Sequence, residues 1–420
     1  MLYKVQCMAN LTESYSLNQF ADLLSVSKET LRRWDNSGKL VAKRSKVNDY
    51  RYYTKEHIEI CKQLDLFIPG EEKATNFVKP IKTYTSIELF AGAGGLALGF
   101  ELAGLHHVIL NEIDKYACDT LEANRPNWTI SRVDVKDLSF KEYKNKVDVL
   151  TGGFPCQAFS YAGKKLGFND ARGTLFFEYA RAVNEIKPLI CVGENVRGLL
   201  NHEGGKTIQG MIDILDELGY RVMEPKVLKA INYNVPQKRE RLFLIAIRKD
   251  IKTNYEYPLP SRKVYTLRDA LKKGELYDSN VPTSQGQKYP KRKHEILSMV
   301  PPGGYWRDLP EKIQKEYMLQ SFYLGGGKTG MARRMSWDEP SLTLTCAPAQ
   351  KQTERCHPDQ TRPFTVREYA RIQTFPDDWT FSGSISQQYK QIGNAVPVNL
   401  AKEVGYSIIK FLNNYYTQNK

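Results

Sequence analysis

Residues 86–95, SIELFAGAGG, decide the fold of this chain. Residues 86–90 are predicted to form a buried β-strand, and the glycines that follow let the backbone turn tightly into a helix whose N-terminus can face a ligand. A second strand, 107–111, is followed by Glu112, and a further acid lies at Asp134. This order predicts a doubly wound α/β fold with a parallel sheet. A glycine turn alone fits a dinucleotide or a phosphate equally well.

Pro155-Cys156-Gln157 follows another apolar strand, at 147–154. The carboxyl end of a parallel strand is where α/β enzymes carry their chemistry, so Cys156 is a candidate nucleophile. A lone cysteine is more often a small buried hydrophobe, and the other six cysteines keep that interpretation. Further along, Glu194 follows an apolar strand at 189–192.

Composition limits the class of protein. The chain has 420 residues, enough for two or three domains, and a formal net charge of +14, which favours a polyanionic partner. Seven cysteines at irregular spacing indicate a reducing compartment, and the absence of a CxxC pair argues against a structural zinc site. Without a long apolar run or a signal-like N-terminus, we expect a cytoplasmic protein with no membrane contact and no metal.

The N-terminal residues predict a small helical DNA-binding module. A helix at 17–24 has Ser16 as a plausible N-cap, and a second helix follows at 28–35. A basic segment at 38–53 then resembles a wing hairpin, and Thr54 is placed to cap a third helix. The module resembles the helix-turn-helix of the MerR family, and a bundle with a solvated basic face is the alternative. Its candidate DNA contacts are Arg32, Arg33, Lys43, Arg44 and Lys46.

From 86 to 412, the motifs and their order resemble the DNA cytosine-5 methyltransferases. The resemblance is carried by FAGAGG at 90–95, PCQAFS at 155–160, ENV at 194–196, QKRER at 237–241 and QIGNAVP at 391–397. It implies a Rossmann-like methyltransferase domain that uses S-adenosylmethionine. The cofactor-binding residues carried over are Phe90, Gly92, Gly94, Glu112, Ile113, Asp134, Val135, Pro155, Leu175, Asn394 and Val396.

The resemblance also implies the chemistry. Cys156 adds to C6 of cytosine, which turns C5 into a nucleophile. Glu194 donates a proton to N3 and accepts from the exocyclic amine of the base, which selects cytosine. One of the two arginines lies near the cytosine O2 and the other organises the cysteine loop. The implied catalytic residues are Cys156, Glu194, Arg239, Arg241 and Gln157. Since the target carbon is inaccessible in a stacked duplex, the base must be flipped out, with Ser160 near its phosphate.

Five segments follow from these signals. They are a helix-turn-helix domain at 1–68, a linker at 69–83, the first catalytic part at 84–257, an irregular target-recognition domain at 258–384 and a C-terminal catalytic part at 385–420. The recognition region is rich in Lys, Gly, Pro and Tyr, and Arg333 and Arg334 are its candidate DNA contacts.

The expected function is sequence-specific methylation of double-stranded DNA in a prokaryotic cell, on nucleoid DNA and alongside a cognate restriction endonuclease. We expect a monomer in catalysis, with dimerisation through the N-terminal module left open, and autoregulation by that module. Two alternatives are a tRNA methyltransferase with the same core and a transcription repressor whose methylase half only supports DNA binding.

Overall fold

The computed structural model describes residues 14–24, 28–45, 49–63, 76–155, 174–261 and 263–418. The chain forms two compact units. The first contains Met1–Thr75 and Pro260–Lys263, and the second contains Asn76–Leu259 and Val264–Lys420. Cys156, Gln157, Ser160 and Lys46, and residues 69–75 of the expected linker, lie outside the described residues.

The first unit is built from short elements in the predicted order. These are β1 (Ser14–Ser16), α1 (Leu17–Leu23), α2 (Lys28–Asn36), β2 (Lys43–Arg44), β3 (Arg51–Thr54) and α3 (Lys55–Gln63). The strands form an antiparallel sheet with β3 in the centre, and its β2–β3 hairpin is the predicted wing. Ser16 accepts from the amide of Gln19, whose side chain accepts from the Ser16 amide, so α1 begins with a reciprocal cap.

Asp35 connects α2 to the wing. Its carboxylate accepts from Arg51 Nε at 2.6 Å, from Arg44 Nη2 at 3.1 Å and from the Ala42 amide at 2.9 Å. Beneath it, the rings of Phe20 and Tyr53 stack with centroids 4.3 Å apart. The wing therefore has a fixed connection to the second helix.

The second unit contains a mixed sheet. Its strands are β4 (Tyr84–Leu89), β5 (Leu105–Asn111), β6 (Ile130–Ser131), β7 (Val149–Gly152), β8 (Ile190–Val196), β9 (Tyr220–Val222), β10 (Lys226–Lys229) and β12 (Glu240–Arg248), while β11 (Gln237–Lys238) pairs with β13 (Ser341–Leu342) separately. The order is β6-β5-β4-β7-β8-β12-β10, parallel from β6 to β8 and antiparallel beyond. The chain reverses its winding between β4 and β7, and ligands bind at such a switch point in doubly wound sheets.

Helices cover the sheet and continue beyond it. They are α4 (Gly95–Ala103), α5 (Lys115–Asn124), α6 (Leu175–Ile186), α7 (Lys206–Glu217), α8 (Leu267–Leu271), α9 (Lys291–Ser298), α10 (Glu311–Met318), α11 (Val366–Ile372), α12 (Ile385–Asn394) and α13 (Val398–Gln418). Within the described residues, no helix is long and apolar enough to cross a membrane.

The C-terminal segment packs against the glycine turn. A Cβ on Gly95 would lie 2.2 Å from the Val396 carbonyl oxygen, and one on Gly99 would lie 2.4 Å from the Cβ of Ala401. Only glycine permits this approach of α4 to the segment around α13. Residues about 300 positions apart in the chain therefore form one wall behind the turn.

Two strands beside the candidate catalytic residues differ from their predicted extents. The predicted strand at 189–192 continues to Val196, so Glu194 lies within β8, opposite Phe243 of β12, rather than after the strand. The predicted strand at 147–154 is limited to Val149–Gly152. Pairing with β12 explains the longer β8, because an antiparallel neighbour supplies hydrogen bonds beyond the end of β7.

Candidate active site

The glycine turn after β4 has the backbone that a close ligand requires. Phe90, Gly92 and Gly94 all have positive φ, at 60°, 54° and 83°. A Cβ on Gly94 would lie 2.7 Å from Leu121, so that position faces protein, whereas no described atom lies within 4 Å of a Cβ on Gly92. Gly92 is therefore the position of this turn that a ligand can approach.

The Glu112 carboxylate accepts hydrogen bonds from three backbone amides. Its Oε2 accepts from Gly92 N at 2.7 Å, and its Oε1 accepts from the amides of Ile113 and Asp114 at 2.8 Å. Ile113 itself is 65% exposed beside it. These bonds leave part of the carboxylate's accepting capacity for ligand hydroxyls and fix its orientation beforehand.

The remaining predicted cofactor residues lie on separate elements. Asp134 caps a short 3₁₀ turn by accepting from the amide of Lys136, and the Val135 side chain is buried. Leu175 is half-buried at the start of α6, and Pro155 is exposed after β7. Each of these residues follows or flanks the carboxyl end of a parallel strand, the edge that also carries the glycine turn.

The QIGNAVP motif at 391–397, called the closing motif below, meets the same edge. Asn394 is exposed at the end of α12, and its Oδ1 accepts from the thiol of Cys346 at 3.0 Å. Val396 is buried with its carbonyl against Gly95. In addition, Lys390 of α12 forms an ion pair with Asp114 at 2.9 Å, which ties the motif to the start of α5.

Glu194 and Arg241 form a buried ion pair on neighbouring strands. Arg241 Nε lies 2.8 Å from Glu194 Oε1, and both side chains are about 10% exposed. Burial raises the pKa of Glu194 above its usual range, opposed by the charges of Arg241 and Arg239. Burial also lowers the pKa of Arg241, which the charge of Glu194 opposes. Burial thus favours the protonated form of this carboxyl, and that form can donate to a bound ring.

The pair adjoins the segment that leads to Cys156. A Cβ on Gly153 would lie 3.1 Å from Glu194 Oε2. Asn195 Nδ2 donates to the Phe154 carbonyl at 2.8 Å, which braces the chain two residues before the cysteine. The end of β7 and the acid on β8 are thus held side by side.

Arg239 acts as a buried connector. Its Nη1 donates to the Leu344 carbonyl at 3.0 Å and its Nη2 to the Gly393 carbonyl at 2.7 Å. Burial lowers its pKa, as does the neighbouring charge of Arg241. Arg239 lies just before β12, the neighbour of β8, and therefore joins this part of the sheet to Leu344 and to Gly393 of the QIGNAVP motif.

Sequence reasoning missed a second connector made of two glutamines. Gln237 donates to Gln373 Oε1 at 2.9 Å and accepts from the Leu344 amide at 3.0 Å. Gln373 in turn donates to the Ile392 carbonyl at 2.7 Å. Only the position of Gln237 inside the QKRER motif could have drawn attention to this pair.

Glu88 was also missed. It is buried in β4, accepts from Thr151 Oγ1 at 3.3 Å, and burial raises its pKa to about 8. The signal was available, because an acid inside an apolar strand needs a reason. Its position behind the glycine turn indicates a neutral carboxyl that supports β4 and β7.

Arg334 differs from its expected role as a DNA contact. It is buried, and its guanidinium donates to Leu297 O at 2.8 Å and to Thr361 Oγ1 at 2.7 Å, with longer bonds to two further carbonyls. These bonds use its donors inside the protein, away from the surface where a DNA contact would lie. Arg333 is half-buried, 3.9 Å from Glu339.

The basic residues of the first unit stay at its surface. Arg32 and Arg33 are exposed on α2. Lys43 forms an exposed ion pair with Glu56, while Arg44 pairs with Asp35. Exposed ion pairs are weak, so Lys43 can exchange its partner for a phosphate, whereas Arg44 is more firmly held.

Comparison with known proteins identifies the second unit. The family described as C-5 cytosine-specific DNA methylase matches residues 84–410, most of the chain. The chain belongs to the DNA cytosine-5 methyltransferases. The MerR HTH regulatory protein family matches residues 15–64, so this methyltransferase carries a MerR-like helix-turn-helix at its N-terminus. Both resemblances seen in the sequence are confirmed.

Two relatives of this methyltransferase match nearly its whole length. The type II methyltransferase M.Eco47II of Escherichia coli is 65% identical, with 96% of this chain and 97% of the relative covered. The type II methyltransferase M.PspPI of a Psychrobacter species is 60% identical, with 94% and 95% covered. The family and these relatives establish the enzyme as a DNA (cytosine-5-)-methyltransferase.

Solved structures agree on the fold of the methyltransferase. A putative DNA modification methyltransferase from an E. coli prophage is similar with a TM-score of 0.56 and 23% identity, covering 79% of this chain and 100% of that one. The Dnmt2 methyltransferase of S. pombe gives 0.54 and 18%, covering 79% and 99%. The predicted Rossmann-like methyltransferase fold is confirmed.

Proposed function

We propose that this enzyme transfers a methyl group from S-adenosylmethionine to C5 of a flipped cytosine through a covalent Cys156–C6 adduct. The observation that carries the proposal is the buried Glu194–Arg241 pair, which lies beside the strand that leads to Cys156. A raised pKa suits Glu194 for donating a proton to N3 as the Cys156 thiolate adds to C6. Arg241, which pairs with Glu194, is then the arginine nearest the cytosine O2, and Arg239 organises the loop that contains Cys156.

The residues at the glycine turn fit the cofactor. Gly92 faces open space and backbone amides hold the Glu112 carboxylate, which supports a role for Glu112 in accepting from ribose hydroxyls. Asp134 would accept from an adenine amine. S-adenosylmethionine supplies an electrophilic methyl group when bound. Phe90, Leu175, Asn394 and Val396 would line the same site.

Covalent trapping tests the catalytic proposal. DNA that carries 5-fluorocytosine at the target should form a stable adduct with the wild type, because the fluorine cannot leave as a proton does. Cys156→Ser should form none and lose methylation, since a hydroxyl is too weakly ionised to attack, yet it should keep specific DNA binding. Cys346→Ser is the matched control, because Cys346 is an exposed thiol beside Asn394. An adduct that persists in Cys156→Ser but disappears in Cys346→Ser would refute the proposal.

We further propose that the enzyme protects host DNA from a cognate restriction endonuclease and acts as a monomer on nucleoid DNA in the cytoplasm. Support comes from the relatives, which are named type II methyltransferases. Bisulfite sequencing of DNA from expressing cells should show one short methylated sequence, and that DNA should resist an endonuclease that cuts the same sequence. Cleavage at fully methylated sites would contradict the protective role.

The N-terminal module is proposed to bind an operator in the promoter of its own gene. Exposed Arg32 and Arg33 on α2 and basic residues on a fixed wing support DNA contact. Footprinting of the upstream region should show protection by the wild type that Arg32→Ala/Arg33→Ala removes. Lys55→Ala, an exposed charge on α3, is the control and should protect as the wild type does. Equal protection by the double variant would leave the module without this role.

A further inference from the structure

An exposed apolar patch lies in the recognition region. Leu319, Tyr323 and Leu324 are 63%, 73% and 66% exposed, and all residues from 323 to 327 are at the surface. These side chains belong to one short segment, the 319–327 loop. Large apolar groups concentrated at one place on a surface mark an interaction site.

The loop is anchored at its base. Phe322 points inward and meets Trp306 edge to face, with centroids 6.1 Å apart, and the Trp306 indole donates to the Gly327 carbonyl at 3.3 Å. Lys328 Nζ donates to the carbonyls of Ser321 and Leu324. The hydrophobic cluster beneath includes Trp306, Tyr317 and Met331. Tyr323 and Leu324 are thus presented outward by a closed turn.

Two cations lie over the aromatic rings at the base of the loop. Arg307 lies over the Trp306 ring at 5.2 Å, and Lys315 over the Phe322 ring at 5.7 Å. Residues 285–330 contain eight Lys and Arg against four Asp and Glu. An apolar tip with cations at its base, in a segment with an excess of positive charge, suits a polyanion whose interior is apolar, and stacked DNA has this composition.

We propose that Tyr323 and Leu324 enter the base stack of the DNA substrate and hold the duplex open near the target cytosine. Apolar side chains that wedge between base steps unstack them, while cations at the rim contact the phosphates. This inference rests on the proposed base-flipping function. It replaces Arg334 with the 319–327 loop as the DNA-contacting element of this region.

The test uses full-length protein and duplexes of the methylated sequence, with 2-aminopurine placed at each position in turn. Wild type should raise the fluorescence at a position other than the target cytosine. Tyr323→Ala/Leu324→Ala should lose that signal and bind the methylatable sequence about 10-fold or more weaker, in the range of a lost base–aromatic stack. Tyr323→Phe, which keeps the ring, should behave as the wild type. Met299→Ala, which removes another exposed apolar side chain of this region, is the control.

Three results would overturn the proposal. These are unchanged fluorescence in the double variant, an equal loss of affinity for the target and for a scrambled duplex, and a wild-type dimer that the double variant converts to a monomer with DNA binding intact. Thermal unfolding of each variant verifies that the fold is retained. Formation of the covalent adduct by the wild type is measured separately. A failure of Tyr323 and Leu324 to enter the base stack is therefore distinguishable from a failure of the Cys156 chemistry.

Discussion

The cofactor end of the site and its chemical end are held by different means. At the cofactor end, Glu112 is fixed by the amides of Gly92, Ile113 and Asp114, all within 20 residues of it. At the chemical end, buried side chains act on distant segments, since Arg239 bonds to carbonyls 105 and 154 residues away. The first arrangement depends on local backbone, and the second depends on the whole fold. A substitution should therefore affect ligand affinity at one end, and rate or stability at the other.

The largest effect is expected at Glu194, the proposed catalytic acid. Glu194→Gln should lower kcat about 100-fold, in the range of general acid catalysis, with little change in cofactor affinity. Because the folded pKa of Glu194 is raised, its protonated form is lost only as pH rises through that value. The kcat of the wild type should fall as the pH rises through this pKa, whereas the kcat of the variant should stay constant over the same range. A pH series of single-turnover rates measures this difference. Equal pH profiles would exclude Glu194 as the proton donor.

Arg239→Lys should reduce the free energy of unfolding by about 2 kcal/mol. One ammonium cannot span both the Leu344 and Gly393 carbonyls, and an unsatisfied buried acceptor costs about 1–3 kcal/mol. Urea unfolding measures this change. Arg197→Lys, at an exposed ion pair with Glu240, is the control and should change stability by less than about 0.5 kcal/mol. Similar losses of stability in both variants would contradict the role of Arg239 as a connector.

Glu112→Ala should raise the dissociation constant of S-adenosylmethionine about 10-fold, while kcat at saturation changes little. This corresponds to about 1.4 kcal/mol of binding that is equal in ground and transition states. Isothermal titration and saturation kinetics separate the two quantities. Glu122→Ala, on the exposed side of α5, should leave both unchanged. A kcat defect like that of Glu194→Gln would show that the two ends are not separate.

Gly92→Ala is the last and smallest of these predicted effects. Because Gly92 has a positive φ, the substitution should reduce the free energy of unfolding by about 1 kcal/mol. Its new methyl faces open space, so the cofactor dissociation constant should rise while the fold remains. Gly95→Ala is the contrast, because its Cβ would meet the Val396 carbonyl at 2.2 Å and should destabilise the protein more. Thermal unfolding with and without cofactor compares the two variants. The idea fails if Gly92→Ala binds cofactor as wild type does.

Much of this organisation could be predicted from sequence. The glycine turn, the strand at 107–111 and the two helices of the N-terminal module lie close to their predicted places, because each is set by local spacing and turn residues. The placement of Glu194 within β8 was not predicted, since β8 lengthens only through pairing with β12. The burial of Arg334 was also not predicted, because an arginine in a basic region looks exposed until its tertiary contacts are known.

The sequence by itself determined the family, the parallel part of the sheet and the residue types that the proposed chemistry needs. These follow from contiguous motifs, in which hydrophobic period and glycine position limit the backbone within a few residues. Tertiary structure decided which arginine pairs with Glu194, which one connects Leu344 to Gly393, and where apolar side chains remain at the surface. The physical reason is that burial and ion pairing depend on segments far apart in the chain, whose approach no local pattern records.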